Sequence, residues 1–256
     1  MKHRTKKRLL TAVFRIAAAL VACRVIGARL WMLSRPVDVV SVSYDEYFGR
    51  EDSYVTVVEP TTENTFVLTV DSERLLRFEL RNHWLKFTKR MGFVPTGLDE
   101  MRTNKRLRGF KHFQASVALG YAAVFAAHVM LLQHLREHMP VSGHYFIFED
   151  DARLTWRGAL AVRSDADITI LTAQVTQSIH HQDDIGIGRS IGGYGTVGYV
   201  VAARSIQLIL RSVSGSVNPI DIAIFDASAR LRIDCLLRPV VYVDRTEPSN
   251  RRTVNA

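Results

Sequence analysis

An α/β sandwich built around a mainly parallel sheet is the fold class that the sequence predicts, for two reasons. First, short apolar runs of strand length alternate with longer helical patterns, which is typical of a sheet covered by helices. Second, the run 145–148 leads directly into three acids, and open α/β sheets place their ligands at such strand ends. The 256 residues are 47% hydrophobic, enough for a single domain with one sizeable core that carries an N-terminal helical tail.

Apolar runs rich in β-branched or aromatic residues predict the strands. A short strand is expected within 37–58, and the other candidates are 66–70, 145–148, 168–171, 199–202 and 240–243. The glycine-rich segment 186–198 matches neither the phosphate-binding loop nor the dinucleotide fingerprint. It is interpreted as a mobile loop of the kind that closes over a substrate.

Helical periodicity predicts three helices. The first covers 72–90, where Ser72 can cap it and the leucines and aromatics form one broad apolar side. The second, over 113–138, is long and apolar and ends before a proline, and the third covers 205–213. Residues 92–109 include proline, glycine and several charges, so a loop is expected there.

The net excess of positive charge lies at one end of the chain. The net charge is +9, and residues 1–35 hold nine Lys and Arg and no acid. The remainder keeps 25 of the 34 basic residues against 25 acidic ones and is neutral. A nucleic-acid-binding domain would carry its basic residues on the folded part, so no nucleic acid partner is expected. A basic tail on a neutral domain indicates a membrane surface or a targeting role.

The apolar stretch 9–33 is long enough to span a bilayer, but three arginines interrupt it. A central arginine costs about 2.5–3.5 kcal/mol on the insertion scale, several times what one leucine contributes. A signal anchor, an interfacial helix, a transit presequence and a helix packed on the domain all remain open. We expect membrane association rather than a freely soluble protein, with a tail over 1–35, one folded domain over 36–245 and a flexible C-terminal tail over 246–256.

The acidic triplet Glu149-Asp150-Asp151 is the strongest candidate site. Adjacent carboxylates repel one another, so a partly buried cluster needs a cation or basic partners. A divalent ion with hard oxygen ligands satisfies such a cluster, and that ion can hold a nucleotide diphosphate. The competing interpretation is a solvated acidic turn after an edge strand.

Residues 144–154 (HYFIFEDDARL) resemble the central motif of glycosyltransferase family 25, an apolar strand that runs into Glu-Asp-Asp. Members of that family include bacterial lipooligosaccharide galactosyltransferases and the collagen galactosyltransferases. Further segments are similar to the family's motifs in the expected order. These are 66–77 with its Asp-x-x-Arg, 120–128 with its Gly and His, 195–204 with its Gly-Thr and Tyr, and the Pro-Ile-Asp turn at 219–221.

The chain departs from these motifs at four positions. Ala123 stands where the motif has glycine, Ala127 and Ala203 where it has serine, and Gly198 where it has alanine. All four exchanges keep a small side chain, but two hydroxyls are lost. A catalytically inactive relative that serves as a membrane-associated binding or scaffold protein is therefore the alternative function.

The resemblance implies a GT-A-like α/β/α sandwich as the catalytic domain, a nucleotide-sugar donor and a divalent metal. The implied reaction moves a hexose from a nucleotide-diphosphate donor, UDP-galactose or UDP-glucose, to a glycan or hydroxylated acceptor. By that resemblance Glu149 and Asp151 hold Mn²⁺ or Mg²⁺ against the diphosphate. The ion would then neutralise charge on the leaving nucleotide.

The resemblance also implies donor-binding and catalytic residues. The donor-binding candidates are Asp71, Arg74, His128, Asp150, Gly195 and Thr196. Arg74 suits a phosphate by its bidentate geometry, and a solvated helix arginine is its alternative. Asp221 is the candidate general base for the acceptor hydroxyl, and a helix-capping aspartate is its alternative. For His128 the alternative is a histidine that fills the core.

Two other histidine patterns have residue types that bind metals. The segment 134–138 reads His-x-x-Glu-His, which on a helix places both histidines on one face as in an inverted zincin. A further acidic ligand is missing, because no Glu occurs between Glu149 and Glu247. The stretch 180–184 (HHQDD) lies in a polar context and is predicted to be a surface loop.

Overall fold

The computed structural model describes residues 55–115, 117–172, 175–179, 187–193 and 195–244. The predicted tails over 1–35 and 246–256 and the segment 180–184 lie outside the described residues. No helix in these described ranges is both long and apolar enough to cross a membrane.

Short strands and helices together make up most of the described chain. The strands are β1 (Val55–Val58), β2 (Thr65–Thr69), β3 (Thr88–Met91), β4 (His144–Glu149), β5 (Ala152–Leu154), β6 (Leu160–Arg163), β7 (Ile168–Ile170), β8 (Val175–Ile179), β9 (Ile187–Gly193), β10 (Gly198–Ala202), β11 (Ile233–Leu236) and β12 (Val241–Val243). The helices are α1 (Ser72–Arg81), α2 (Leu98–Thr103), α3 (Leu119–His138), α4 (Ile206–Ser214) and α5 (Ile220–Asp226), with 3₁₀ turns at Lys111–Gln114 and Ala203–Ser205.

The central sheet has eight strands in the order β3-β2-β4-β10-β7-β11-β9-β8. Strand β2 runs parallel to β3 and β4, and β11 runs parallel to β7. Strand β10 is antiparallel to both of its neighbours, β4 and β7, and β9 is antiparallel to β11 and β8. The prediction of a mainly parallel sheet is therefore wrong, because β10 enters the sheet in the opposite direction and β8 pairs with β9 at its edge. The α/β class itself is confirmed.

Each face of the sheet carries its own core. Along β4, Tyr145 and Ile147 belong to one core, and Phe146 and Phe148 belong to the other, as the two-residue period of a strand requires. Helices α2 to α5 pack on the first face. Helix α1 and the two-stranded pairs β1–β6 and β5–β12 pack on the second. Strand β4 lies between β2 and β10 and is buried from both sides.

Several predicted elements need correction. The helix expected over 72–90 ends at Arg81, because 88–91 pairs with β2 as strand β3. Its cap is Asp71 rather than Ser72, since the Asp71 carboxylate accepts a 2.7 Å hydrogen bond from the Arg74 amide. Its apolar side is also narrower than predicted, because Leu76 and Leu80 are exposed.

The two predicted loops contain regular structure. Residues 92–109 include helix α2, and residues 187–193 of the glycine-rich segment form β9, which pairs on both sides. Hydrogen bonds to two neighbouring strands satisfy the backbone of β9, although its side chains are mostly small. The sequence shows no alternating apolar pattern there, so the strand could not be predicted from periodicity. The long apolar helix is confirmed as α3, although it begins at Leu119 after a 3₁₀ turn.

Candidate functional site

Strand β4 delivers the acidic triplet to the edge of the sheet. Glu149 is its last residue, and Asp150 and Asp151 form the turn into β5. The solvated-turn interpretation is wrong, because β4 is an interior strand and Asp150 is only 4% exposed.

Two residues that are distant in sequence bind the backbone of this turn. Arg81 donates a 2.9 Å bond from Nη2 to the Asp150 carbonyl, and the Asp244 amide donates a 2.8 Å bond to the Asp151 carbonyl. Arg81 and Asp244 are joined to each other by a 3.0 Å ion pair. The backbone of the triplet is therefore fixed from two elements at once.

Asp150 is neutralised inside the protein by Arg74. Arg74 Nε donates a 2.9 Å bond to Asp150 Oδ1, and Nη2 donates to the same oxygen. Both side chains are almost completely buried, so this pair is desolvated. The Asp71 cap fixes the start of helix α1, and the helix in turn aims Arg74 at the triplet. The solvated-arginine alternative for Arg74 is wrong, and its guanidinium is directed at Asp150.

Glu149 is held by two side chains from other elements. Its Oε1 accepts a 2.8 Å bond from the Thr196 hydroxyl, and His128 Nε2 lies 3.3 Å from the same oxygen. His128 Nδ1 lies 3.0 Å from the Tyr199 hydroxyl. Because a carboxylate only accepts, His128 Nε2 is the donor to Glu149, and the Tyr199 hydroxyl is the partner of Nδ1. Burial, reinforced by the charge of Glu149, raises the pKa of Tyr199, so this phenol stays a donor.

Asp151 carries the least compensated charge of the triplet. Burial is the largest cause that raises its pKa, followed by the charges of Glu149 and Asp150, and only Arg74 among nearby side chains opposes them. The result is a pKa of about 7 against an ordinary value of 3.8. Asp151 Oδ1 and Asp150 Oδ2 are buried and have no hydrogen-bond partner among the described residues. An uncompensated buried carboxylate is costly unless a ligand or a proton satisfies it.

Asp221 ties the segment before β10 to helix α5. Its Oδ2 accepts a 3.1 Å bond from the Gly195 amide, and its Oδ1 accepts a 2.9 Å bond from the Ile222 amide. Gly195 has φ +92°, in the left-handed region that favours glycine. This bond positions the neighbouring Thr196, whose hydroxyl reaches Glu149. Asp221 therefore connects to the triplet through the chain, and no direct bond joins them in the described structure.

The motif departures fit the packing. A β-carbon at Gly198 would lie 2.9 Å from Val241 and 3.1 Å from Phe148, so the alanine of the family motif has no room here. Ala203 is buried at the 3₁₀ turn after β10, where its amide bonds the Gly143 carbonyl. Ala127 lies on α3 beside His128 and is half-buried.

The His-x-x-Glu-His pattern does place its two histidines together. The rings of His134 and His138 are 4.8 Å apart on α3. His134 Nε2, however, lies 2.5 Å from Arg90 Nη2. Because a guanidinium only donates, this nitrogen is occupied as an acceptor.

Three residues of the site were missed by sequence reasoning. Arg81 and Asp244 act across 163 positions of chain, and nothing in their local sequence marks them. Tyr199 belongs to the segment 195–204, which resembles a family motif, and His128 belongs to another such segment, 120–128. The contact between the two side chains could have been expected because both segments resemble motifs of one family.

The donor set at the triplet fits a divalent metal only in part. In the described ranges, no group of three or more His, Cys, Asp or Glu is arranged to hold an ion by itself. The two unbonded oxygens of Asp150 and Asp151 are nevertheless the hard ligands that Mn²⁺ and Mg²⁺ prefer. These oxygens fit an ion whose other ligands come from a diphosphate and water.

No protein-family model matches the chain, and no curated protein matches it. Family membership therefore stays a proposal that rests on the motifs and on the geometry around Glu149, Asp150 and Asp151.

Proposed function

We propose that the protein is a metal-dependent hexosyltransferase of the glycosyltransferase family 25 type, with a GT-A-like domain. The observation that carries the proposal is the half-buried Asp151 carboxylate, whose pKa is raised and whose buried Oδ1 has no hydrogen-bond partner among the described residues. A fold gains nothing from such a group, so it indicates a ligand that the group serves. Its position at the carboxyl end of β4 is where α/β sheets bind ligands.

The metal of this proposal would be Mn²⁺ or Mg²⁺. Asp151 and Glu149 would hold the ion, as the family motif implies, and Asp150 would belong to the donor-binding residues. Bound there, the ion would neutralise the charge that develops on the leaving nucleotide diphosphate. Thr196 and His128 keep Glu149 in place, and Arg74 keeps Asp150 in place. The supporting side chains thus limit the mutual repulsion of three adjacent acids.

The donor would be a uridine diphosphate hexose, galactose or glucose, and the acceptor a glycan or another hydroxylated molecule. Asp221 is the proposed general base for the acceptor hydroxyl, as the family motif implies. Its two carboxylate oxygens each accept a hydrogen bond from a backbone amide, which fixes the position of the carboxylate. Asp71, Gly195 and Thr196 would contact the donor from the segments that flank the triplet.

The test is calorimetric titration of uridine diphosphate into the full-length protein, with and without Mn²⁺. We expect binding that requires Mn²⁺ and is lost in Asp151→Asn. Asp99→Asn is the matched control, because Asp99 is an exposed acid on helix α2 and loses the same charge. Absence of binding in a folded sample, or binding that Asp151→Asn leaves intact, would overturn the proposal. A panel of labelled sugar nucleotides would then identify the hexose.

The inactive binding or scaffold protein remains a second candidate because of one observation. Glu149 is engaged by Thr196 and His128 within the protein, as a purely structural acid would be. This version predicts a folded protein that neither hydrolyses nor transfers from any sugar nucleotide. Turnover of a labelled donor by the wild type, lost in Asp151→Asn, would exclude it.

A further inference from the structure

A basic pocket lies beside the acidic triplet, on the α3 face of the sheet. It has a volume of about 240 Å³ and is lined by residues of β2, β3, α3 and the loop after α2. Its polar lining consists of three basic side chains, Arg90, Arg106 and His134. Leu68, which also lines it, is the register partner of Glu149 across β2 and β4. The pocket and the triplet are therefore one strand apart.

Arg90 is the centre of this pocket. Its guanidinium lies over the Phe66 ring, with 5.8 Å from Cζ to the ring centroid, and its Nη2 contacts His134 Nε2 at 2.5 Å. Its Nε is buried and has no hydrogen-bond partner in the described part of the chain. The described residues give it no carboxylate partner either. A half-buried guanidinium with an unused donor is suited to an oxyanion.

The other two basic groups are held in position by the fold. Gln133 donates a 2.9 Å bond to the Arg106 carbonyl, which fixes the loop against α3. The Arg106 guanidinium shares a 3.0 Å ion pair with Glu137, outside the lining. His134 accepts from Arg90 and is neutral in that contact. Burial first, and then the charge of Arg90, lowers its pKa.

The chemistry of the lining defines the ligand. Two guanidinium groups and an imidazole offer donors, and no carboxylate appears among the lining residues that the structure describes. The rest of the wall is apolar, including Met91, Phe93 and Met130. A volume of about 240 Å³ is below the roughly 300–1,000 Å³ of whole-ligand sites, so one charged group of a larger molecule fits it.

We propose that this pocket is an oxyanion subsite that binds a phosphate or carboxylate group of the substrate. The proposal rests on the proposed transferase function only for the identity of that substrate, because the binding itself requires no turnover. Two sources share this chemistry: the diphosphate of the sugar-nucleotide donor and an acidic group on the acceptor glycan. The triplet already offers a place for the donor's diphosphate through its metal, which favours the acceptor.

The test is calorimetric titration of glucose 6-phosphate into the full-length protein without divalent metal, with glucose as the neutral probe. We expect the phosphate ester to bind at least about tenfold more tightly than glucose, as a charge-assisted hydrogen bond provides. Arg90→Gln should weaken phosphate binding about tenfold, while Lys89→Gln should leave it unchanged. Lys89 is the matched control because it is the exposed neighbour on the same strand. Equal affinities for ester and glucose, or equal losses in both variants, would overturn the proposal.

Two further arms complete the experiment. Arg106→Gln tests the same subsite with a half-exposed side chain, so it covers the case in which Arg90→Gln does not fold. Asp151→Asn should keep the phosphate affinity, which separates failure of this subsite from failure of the metal site. Metal-dependent uridine diphosphate binding then identifies the source. A loss in Arg90→Gln assigns the subsite to the donor, and unchanged binding assigns it to the acceptor.

Discussion

Two acidic clusters of the described structure, one around Asp234 and one at the triplet, differ in the charges that surround them. Asp234 on β11 is 1% exposed and lies between two arginines, with 3.3 Å to Arg189 and 3.8 Å to Arg163. Burial raises the pKa of Asp234 to about 6, and both arginines pull that pKa down. At Asp151, burial raises the pKa to about 7, and the neighbouring acids push it further up.

The difference supports the proposal that the triplet, rather than the Asp234 cluster, serves a ligand. Around Asp234 the chain supplies two countercharges: Oδ1 lies 3.3 Å from Arg189 Nε, and Oδ2, which has no hydrogen bond among the described residues, lies 3.8 Å from Arg163 Nε. Around Glu149, Asp150 and Asp151, Arg74 neutralises one acid through a direct bond, and Asp151 keeps a buried oxygen without a partner. Stability is given up there, as is common where a protein prepares a site for a ligand.

The largest loss of stability is expected at Asp150, the acid of the triplet that has a direct arginine partner, as Asp234 does. Asp150→Asn should lower the free energy of unfolding by about 3 kcal/mol, because Arg74 stays buried with an amide in place of its carboxylate. Urea denaturation measures this, with Asp99→Asn as the exposed control that changes stability by less than about 0.5 kcal/mol. A loss in Asp150→Asn no larger than in the control would remove the distinction between Asp150 and a surface acid.

A somewhat smaller loss of stability is expected in the cluster around Asp234. Asp234→Asn should lower the free energy of unfolding by about 2 kcal/mol, since its ion-pair distances are longer than those of Asp150. The same denaturation series gives the value. If the variant were as stable as the wild type, Asp234 would be as uncompensated as Asp151 and the comparison would fail.

At Asp151 the change in the free energy of unfolding should have the opposite sign, so that the substitution stabilises the protein. Asp151→Asn should stabilise the metal-free protein by about 2 kcal/mol near pH 8, because the buried carboxylate resists ionisation in the folded state. The folded pKa is raised, so this cost is full above about 7, shrinks as the pH falls, and disappears below the ordinary value of 3.8. Thermal unfolding at several pH values measures the gap between variant and wild type. A gap that does not change with pH would contradict an ionisable cause.

The smallest effect concerns the network behind Glu149. Tyr199→Phe removes the hydroxyl that His128 Nδ1 contacts and should lower the free energy of unfolding by about 1 kcal/mol. The ring packing of Tyr199 is retained, so a loss well above this value in urea denaturation would mean that the hydroxyl has another buried partner.

The parts of the fold that follow local patterns were predictable. The strand before the triplet and the long helix α3 are both marked by apolar runs of the appropriate length, and the acids at the strand end marked the candidate site. Strand β3 was missed because its residues continue a helical pattern, and only pairing with β2 makes them a strand. The bond between Arg74 and Asp150 spans 76 positions, so no window of sequence contains it.

The central claim is that the charge of Asp151 awaits a cation and that the charge of Asp234 does not. Electron paramagnetic resonance of Mn²⁺ in the presence of uridine diphosphate tests it directly on three folded proteins: wild type, Asp151→Asn and Asp234→Asn. We predict that the wild type and Asp234→Asn remove free Mn²⁺ from solution and that Asp151→Asn does not. Equal Mn²⁺ binding in all three, or loss in Asp234→Asn alone, would contradict the account.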